Sequence, residues 1–325
     1  MDSKTQRAVE RLLALPVVEQ RTAAWLAARD NVITASEVAS CFKLTSDVIK
    51  PYVEYFRLTD FPARPKASAS GNTSADALVK RKLGLSPAFT GNKYTEFGTM
   101  YEPVAGTIYQ QMAGTRLHEF GLVPHPTLEF LGASPDGCGH HGRLVEIKCP
   151  STRIPDGRVP FPYWCQMQLQ LECCDLEYCD FFDARFVEYV DEEAWLDGAS
   201  KSQEKQHHTH GFILLDDQTP IYAGPTVRTL NEFEEWERGV TASLGRKLRR
   251  VLYSLWHHEM IRVRRDRDWM AARIPQIEAV WQQVLQGRRE AQGRQVNPGK
   301  DVVRDDTSEE KPKTKGYLTH PHCLV

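Results

Sequence analysis

The chain has 325 residues and a mass of 37.0 kDa, enough for one large domain or two modest ones. Hydrophobic residues make up 41% and charged residues 26%, which excludes collagen, a coiled coil, a wholly disordered chain and a disulfide scaffold. The formal net charge of −2 removes the argument for nucleic-acid binding from a globally basic chain, but not from a local one. No run of about 18 apolar residues exists, so no membrane span is expected. Met1–Glu10 lacks the apolar stretch of a signal peptide, and Cys323 stands one position too late for a prenylation box. These features lead us to expect a soluble, intracellular protein.

Residues 5–15 read as a helix, with Val9, Leu12, Leu13 and Leu15 on one side and Pro16 ending it. Gln20–Ala28 is a second short helix bearing Trp25. Thr34 or Ser36 can cap a helix running to about Phe42. Residues 61–76, rich in Pro, Ala, Ser and Gly, read as a loop, and helices follow at about 75–83 and 94–113. Leu117–Val123, Leu128–Ala133 and Leu144–Cys149 then read as strands. Tyr163–Cys173 is an apolar helix, and strands follow near 177–183 and 185–190. Residues 228–287 read as helix again, with Phe233, Trp236, Leu244, Leu248, Val251 and Leu255 as the apolar stripe. We therefore expect one domain over residues 1–290, with motifs at about 20–190, and a disordered tail at 291–325.

Between Arg246 and Arg273 nine Arg or Lys residues face three acids. Such a helical strip suits either a DNA-facing channel or a solvated face. The cysteines form no C-x-x-C pair, and those from Cys165 to Cys179 read as reduced, buried small hydrophobes. His207, His208 and His210 lack partners at ligand spacing and read as loop histidines. Trp164, Trp256 and Trp269 could stack on bases, but each is expected in the core.

The informative stretch is Gly132-Ala133-Ser134-Pro135-Asp136-Gly137, followed by Glu146-Ile147-Lys148. A strand ending at Asp136, a Gly-rich turn and a returning strand set Asp136 beside Glu146. Glu146 and Lys148, two residues apart, share a face, while Ile147 points into the core. Two carboxylates with an ammonium suit phosphodiester hydrolysis. Mg²⁺ accepts such a site together with waters and substrate phosphate, and the Ile147 backbone carbonyl can add a ligand. Lys148 can orient the water or stabilise negative charge. The alternative is a hairpin that merely carries surface charges.

The pattern resembles the PD-(D/E)XK nuclease core, with Pro135-Asp136 as the first half and Glu146-Ile147-Lys148 as the second. More narrowly, it resembles the phage lambda exonuclease and YqaJ-type viral recombinase family. Trp25-x-x-x-Arg29 followed by Ile33-Thr34-Ala35-Ser36 is similar to that family's N-terminal motif. Gly98-x-x-x-Glu102-Pro103 is similar to its second motif and Tyr163-x-x-Gln166-x-Gln168 to its last. The resemblance implies a restriction-endonuclease-like α/β (α+β) fold, a central mixed sheet flanked by helices, with helical additions at both ends. It implies that Asp136 and Glu146 hold metal, that Lys148 assists the attacking water, and that Glu102 adds a carboxylate for a second ion. It implies that Gln166 contacts the scissile region, and that Arg29, Ser36, Ser134 and Gln168 bind DNA, the first three at the 5′-terminal phosphate. One or two Mg²⁺ or Mn²⁺ ions would be the cofactor. The cysteine spacing does not match related nucleases that hold an iron–sulfur cluster, so no cluster is expected.

The activity so implied is 5′-to-3′ digestion of one strand of linear duplex DNA, leaving 3′ overhangs for recombination or repair in a virus or phage. A single-strand annealing protein is the implied partner, a trimer the implied homo-oligomer, and the host cytoplasm or nucleus the implied location. An endonuclease, a nuclease that also cuts RNA, and a non-catalytic DNA-binding protein of the same fold remain alternatives.

Overall fold

Local capping sets where the N-terminal helices begin. Asp2 accepts hydrogen bonds from the Lys4 and Thr5 amides to start α1 (Ser3–Leu13), and Thr22 accepts from Trp25 N to start α2 (Ala23–Asp30). After β1 (Ile33–Thr34), Thr34 and Glu37 form a capping box for a 3-10 helix (Ala35–Cys41). The computed structural model describes residues 2–59, 74–87, 90–201, 210–224, 227 and 229–296. The expected loop at 61–76 therefore lies mostly outside the described residues, as do His207, His208, Cys323 and most of the tail.

The helical half continues with α3 (Ser46–Tyr55), α4 (Ala75–Lys82) and α5 (Lys93–Ala113), which Gly114 closes in the left-handed conformation at φ 60°. Short strands follow: β2 (Leu117–His118), β3 (Val123–Pro124), β4 (Leu131–Ala133), β5 (Gly137–Gly139) and β6 (Leu144–Lys148). Next come α6 (Phe161–Cys174), β7 (Tyr178–Tyr189), α7 (Glu192–Lys201), β8 (His210–Asp216), β9 (Thr219–Tyr222), α8 (Leu230–Leu244), β10 (Arg249–Arg264) and α9 (Arg267–Val296).

Among the described residues the strands form a sheet of order β2-β5-β6-β7-β10-β8-β9 and a small sheet of order β1-β4-β3. In the large sheet only β6 and β7 run parallel. A parallel neighbour needs a crossover, and α6 supplies it. The architecture is mixed α/β. One face of the large sheet packs with α1, α3, α4, α6 and α9 in the main core, which contains Leu144, Trp164 and Phe181. The opposite face packs on α5 through Val145, Ile147 and Phe182. A third cluster joins Trp195, Phe212 and Phe233 at the far end. The seven described cysteines are free and buried, as small hydrophobes in reducing surroundings would be.

Four elements differ from the sequence reading. The stretch expected as helix over 228–287 is broken by β10, a strand of 16 residues. Gly245, at φ 66°, ends α8. Val251–Leu255 is buried on both faces of the sheet, so it shows neither strand alternation nor a true helical stripe. The expected strand at 117–123 is two strands in different sheets, and the strands near 177–190 are one. The first residues of the expected tail, 291–296, are instead the end of α9.

The basic strip is likewise not a free helical face. Arg246 pairs with Asp216, Arg250 with Glu192 and Glu237, and Arg262 with Asp180. Arg265 pairs with Glu172 and Asp175, Arg267 with Glu177, and Arg273 with Asp47. These arginines tie β10 and α9 to their neighbours rather than presenting one charged surface.

Glu172 shows the strength of these ties. His125 Nδ1 accepts the Thr127 and Leu128 amides at 3.1 and 3.0 Å, so the ring proton sits on Nε2, 3.7 Å from Glu172. Arg265 donates to the same carboxylate at 2.7 Å. These partners lower the Glu172 pKa from 4.5 to about 2. A lowered carboxylate pKa stabilises the fold above the unfolded-state value, and that stability is lost as pH falls through the folded one. We predict that the denaturation midpoints of wild type and Glu172→Gln converge as pH drops from 4.5 to about 2. A constant gap across that window would show that the carboxylate charge adds nothing.

Candidate active site

β5 and β6 pair antiparallel with Gly137 opposite Val145. Continuing that register by one residue sets Asp136 opposite Glu146. Asp136 thus stands just before β5 rather than at the end of β4. Its Oδ2 accepts the Ile147 amide at 2.7 Å, which locks the carboxylate against β6.

Glu146 points to the α6 side and is fully buried. Its Oε1 accepts from Gln166 Nε2 at 2.7 Å and also from Lys148 Nζ. Its Oε2 accepts from Gln170 Nε2 at 2.6 Å. Gln166 and Gln170 are one helical turn apart and so reach the same carboxylate. Lys148 also lies over the Tyr163 ring, 5.0 Å from its centroid. Burial opposes the Lys148 charge, but Glu146 and Asp136 outweigh it and push the pKa up, so the ammonium stays protonated. Burial and the nearby Glu146 raise Asp136 well above the ordinary carboxylate range.

Glu102, on α5, stands at the edge of this cluster. Its Oε2 accepts from Arg21 at 2.7 Å. Burial raises its pKa, against the pull of Arg21 and Lys148. Arg21 itself adopts the left-handed conformation at φ 70°, one residue before the cap of α2. Gln20 donates to the Phe120 and Pro135 carbonyls at 2.9 and 3.2 Å, which fixes this turn beside Asp136.

A cleft of about 170 Å³ opens from Asp136, Glu102 and Gln166 toward Trp25, Arg29, Ser36 and Ser134. The Arg29 guanidinium stacks 4.2 Å from the Trp25 ring centroid and donates to Ser36 Oγ at 3.1 Å. Trp25 Nε1 donates to Ser134 Oγ at 3.1 Å. Lys82 holds the Arg29 backbone by donating to its carbonyl at 2.7 Å, and pairs with Glu37 at 2.9 Å. Burial lowers the Arg29 pKa. Among the described residues no carboxylate stands within ion-pair distance of Arg29, so a half-buried cation faces the cleft. A larger cleft of about 630 Å³ lies on the other side of Glu102, lined by Lys148, Tyr163, Tyr94 and Arg153.

Nine of the ten site residues singled out from sequence gather around these two clefts. Gln168 does not. It is fully buried, donates to the Arg264 carbonyl at 3.0 Å and accepts the Asp266 amide at 2.7 Å, so it ties α6 to the β10–α9 turn. Two positions from Gln166 on a helix points the side chain to the opposite side. Gln170 is the second α6 glutamine that reaches Glu146, and its spacing of four from Gln166 was the available signal. Arg21 and Gln20 carry no comparable signal, because only the folded turn brings them to Glu102 and Pro135.

Residues 24–177 match the family model of the YqaJ-like viral recombinase domain. Over this stretch, a little under half of the chain, the sequence is similar to that family. The match spans every site residue of the two clefts except Gln20 and Arg21. An uncharacterized protein, R354, of Acanthamoeba polyphaga mimivirus is 27% identical over 201 residues, which is 56% of this chain and 32% of that protein. The chain thus spans about a third of the length of this curated relative. Among solved structures, an alkaline exonuclease (LHK-Exo) from Laribacter hongkongensis aligns with 85% of this chain and 99% of its own, at 23% identity and a TM-score of 0.47. A phage-related exonuclease from Haemophilus somnus aligns with 80% of this chain and 96% of its own, at 13% identity and a TM-score of 0.45. The family match and the carboxylate–lysine cluster together support a nuclease. Among the described residues no helix is long and apolar enough to cross a membrane.

The donor set fits a divalent cation held mostly by water and substrate. Among the described residues no three His, Cys, Asp or Glu side chains stand close enough to hold a metal alone. Two carboxylates, Glu146 buried and Asp136 half-buried, nevertheless share one ammonium, and Asp136 is held against its charge. Mg²⁺ asks for no more than one or two carboxylates and keeps several waters. We predict that Asp136→Asn stabilises the metal-free protein by about 0.5–2 kcal/mol, because the amide oxygen still accepts the Ile147 amide while the charge repulsion disappears. Urea unfolding in EDTA checks this, and a destabilised variant would mean that the charge itself holds the fold.

Proposed function

We propose that the chain is a divalent-metal-dependent nuclease that digests one strand of linear duplex DNA from its 5′ end and leaves a 3′ single-stranded overhang. One observation carries this reading. A single cleft connects the Asp136–Glu102 edge of the acidic cluster to the Arg29 guanidinium, which among the described residues has no carboxylate within ion-pair distance. A phosphate seated on Arg29, Ser36 and Ser134 would set the first phosphodiester near the carboxylates, so an end becomes the unit of recognition.

Asp136, Glu146 and the Ile147 carbonyl would hold the cation, with Glu102 at the edge for a second. When bound, such an ion supplies positive charge to the phosphoryl oxygens and makes water more acidic. Lys148 keeps its proton, so it acts as a charge that stabilises the phosphorane-like oxygens and not as a base. Gln166, one amide proton of which is held by Glu146, can direct its carbonyl oxygen toward the attacking water. Arg21 pairs with Glu102 at the edge of the cleft and opposes the burial that raises its pKa.

Incubation with linear and covalently closed circular duplex DNA, with Mg²⁺ and with EDTA, tests the reading. Loss of the linear DNA alone, only with Mg²⁺, is the expected outcome. Nicking or cutting of the circle would replace it by an endonuclease, and binding without cleavage by a non-catalytic protein. Glu146→Gln and Lys148→Ala are each predicted to lower the cleavage rate by at least about 100-fold while DNA binding persists. Retained activity in either variant would remove the cluster from the chemistry. Arg29→Ala is predicted to lower the preference for 5′-phosphorylated over 5′-hydroxyl ends, measured as the ratio of the two initial rates. An unchanged ratio would mean that the phosphate sits elsewhere.

A further inference from the structure

The 5′-end reading leaves the larger cleft without an occupant. Its lining runs from Glu102, Lys148 and Tyr163 to Arg153. Arg153 forks onto Asp183 through Nη1 and Nη2, at 2.5 and 2.8 Å. Asp183 is the β7 residue paired with Lys148 on β6 and with Glu259 on β10, so these three side chains share one face of the sheet. The next β7 residue on that face is Arg185.

At Arg185 the pairing with β10 slips. Leu255 pairs with Phe186 and His257 pairs with Arg185, which leaves Trp256 as an extra residue in a bulge. Bulges re-aim side chains and occur next to active sites. Leu255 stays buried on the α5 side, whereas Trp256 is 55% exposed. The Arg185 guanidinium lies 4.8 Å from the Trp256 ring centroid, which puts the indole on the face that carries Glu146 and Lys148. The other tryptophans, Trp25, Trp164, Trp195, Trp236, Trp269 and Trp281, are buried or half-buried. The expectation of a core position therefore holds for Trp164 and Trp269 and fails for Trp256.

We propose that Arg185 and Trp256, beyond the Arg153–Asp183 ion pair, form a track for single-stranded nucleic acid leading away from the catalytic cluster, with an unpaired base stacked on Trp256. The proposal rests on the nuclease reading and deepens it. Guanidinium groups match phosphate, and an indole face accepts any base, but only one that is out of its pair. Two strand spacings and one two-residue step separate Trp256 from Lys148, about 10 Å across and about 7 Å along the sheet. The acids beside the track are already engaged. Asp183 is held by Arg153, and Glu259 has His257 Nε2 at 3.3 Å.

Binding of a dye-labelled oligothymidylate to the full chain in EDTA tests the track without requiring cleavage. Anisotropy reads the affinity, and long-wavelength tryptophan emission reads the exposed indole. Wild type should show quenching of that emission as the strand binds. Trp256→Phe should bind within about 3-fold of wild type but lose the quenching, and Trp256→Ala should bind about 5- to 100-fold more weakly. Arg185→Ala should weaken binding in the same direction, with circular dichroism of each variant matching wild type. Equal affinity in Trp256→Ala, or quenching that persists in Trp256→Phe, would overturn the track. Quenching that follows protein concentration without oligonucleotide would overturn it in favour of a second copy of the chain on this face. An uncleaved linear duplex with the quenching intact would defeat the nuclease reading and leave the track standing.

Discussion

The charge of Glu146 is the constraint around which the rest of the domain is arranged. A carboxylate with no exposure loses its hydration, a cost on the order of several kcal/mol. Two glutamine amides from α6 and the Lys148 ammonium replace that hydration. This fixes which face of α6 meets β6 and how far along the strand it sits. Because α6 is also the crossover between β6 and β7, the same contact fixes the one parallel pairing of the large sheet among the described residues.

The consequences spread outward from that contact. Gln168, turned away from Glu146, anchors the far side of α6 to the start of α9, so the C-terminal helix inherits its position from the site. Asp136 joins Glu146 through the β5–β6 ladder and is held there by the Ile147 amide. The two carboxylates repel each other, and burial raises the Asp136 pKa well above the ordinary range. That unfavourable arrangement is one that a bound cation would relieve. The helical half meets it with a second buried pair, Lys82 with Glu37, that holds the Arg29 backbone in place. Structural ion pairs engage Arg250, Arg262, Arg267 and Arg273 of β10 and α9, whereas among the described residues Arg29 has no carboxylate within ion-pair distance.

Much of the site was legible because chemistry and spacing coincide in it. Asp136, Glu146 and Lys148 lie on adjacent strands, where a period of two decides which side chains share a face. Glu102 and Gln166 sit on helices immediately before and after, and Arg29 and Ser36 flank a recognisable cap. Gln168, expected at the DNA from motif spacing, is instead buried against the β10–α9 turn, because the helical period turns it away from Gln166. The strand β10 was read as helix because its apolar run is buried on both faces and carries no period of its own. The basic residues of that region were read as one strip for the same reason.

Local rules acting on the sequence alone determined the helix caps at Asp2, Thr22 and Thr34, the stop at Gly114, the carboxylate–lysine strand and the order of the motifs. Each depends on residues within a few positions of one another. Only the tertiary structure decided that Arg21 reaches Glu102, 81 residues away, and that Gln20 clasps Pro135, 115 residues away. The same holds for the bulge that turns Trp256 outward, which exists because β10 must pair with β7 on either side of a register slip. Contacts of this kind form only once distant segments are packed together, and no local pattern in the chain records them.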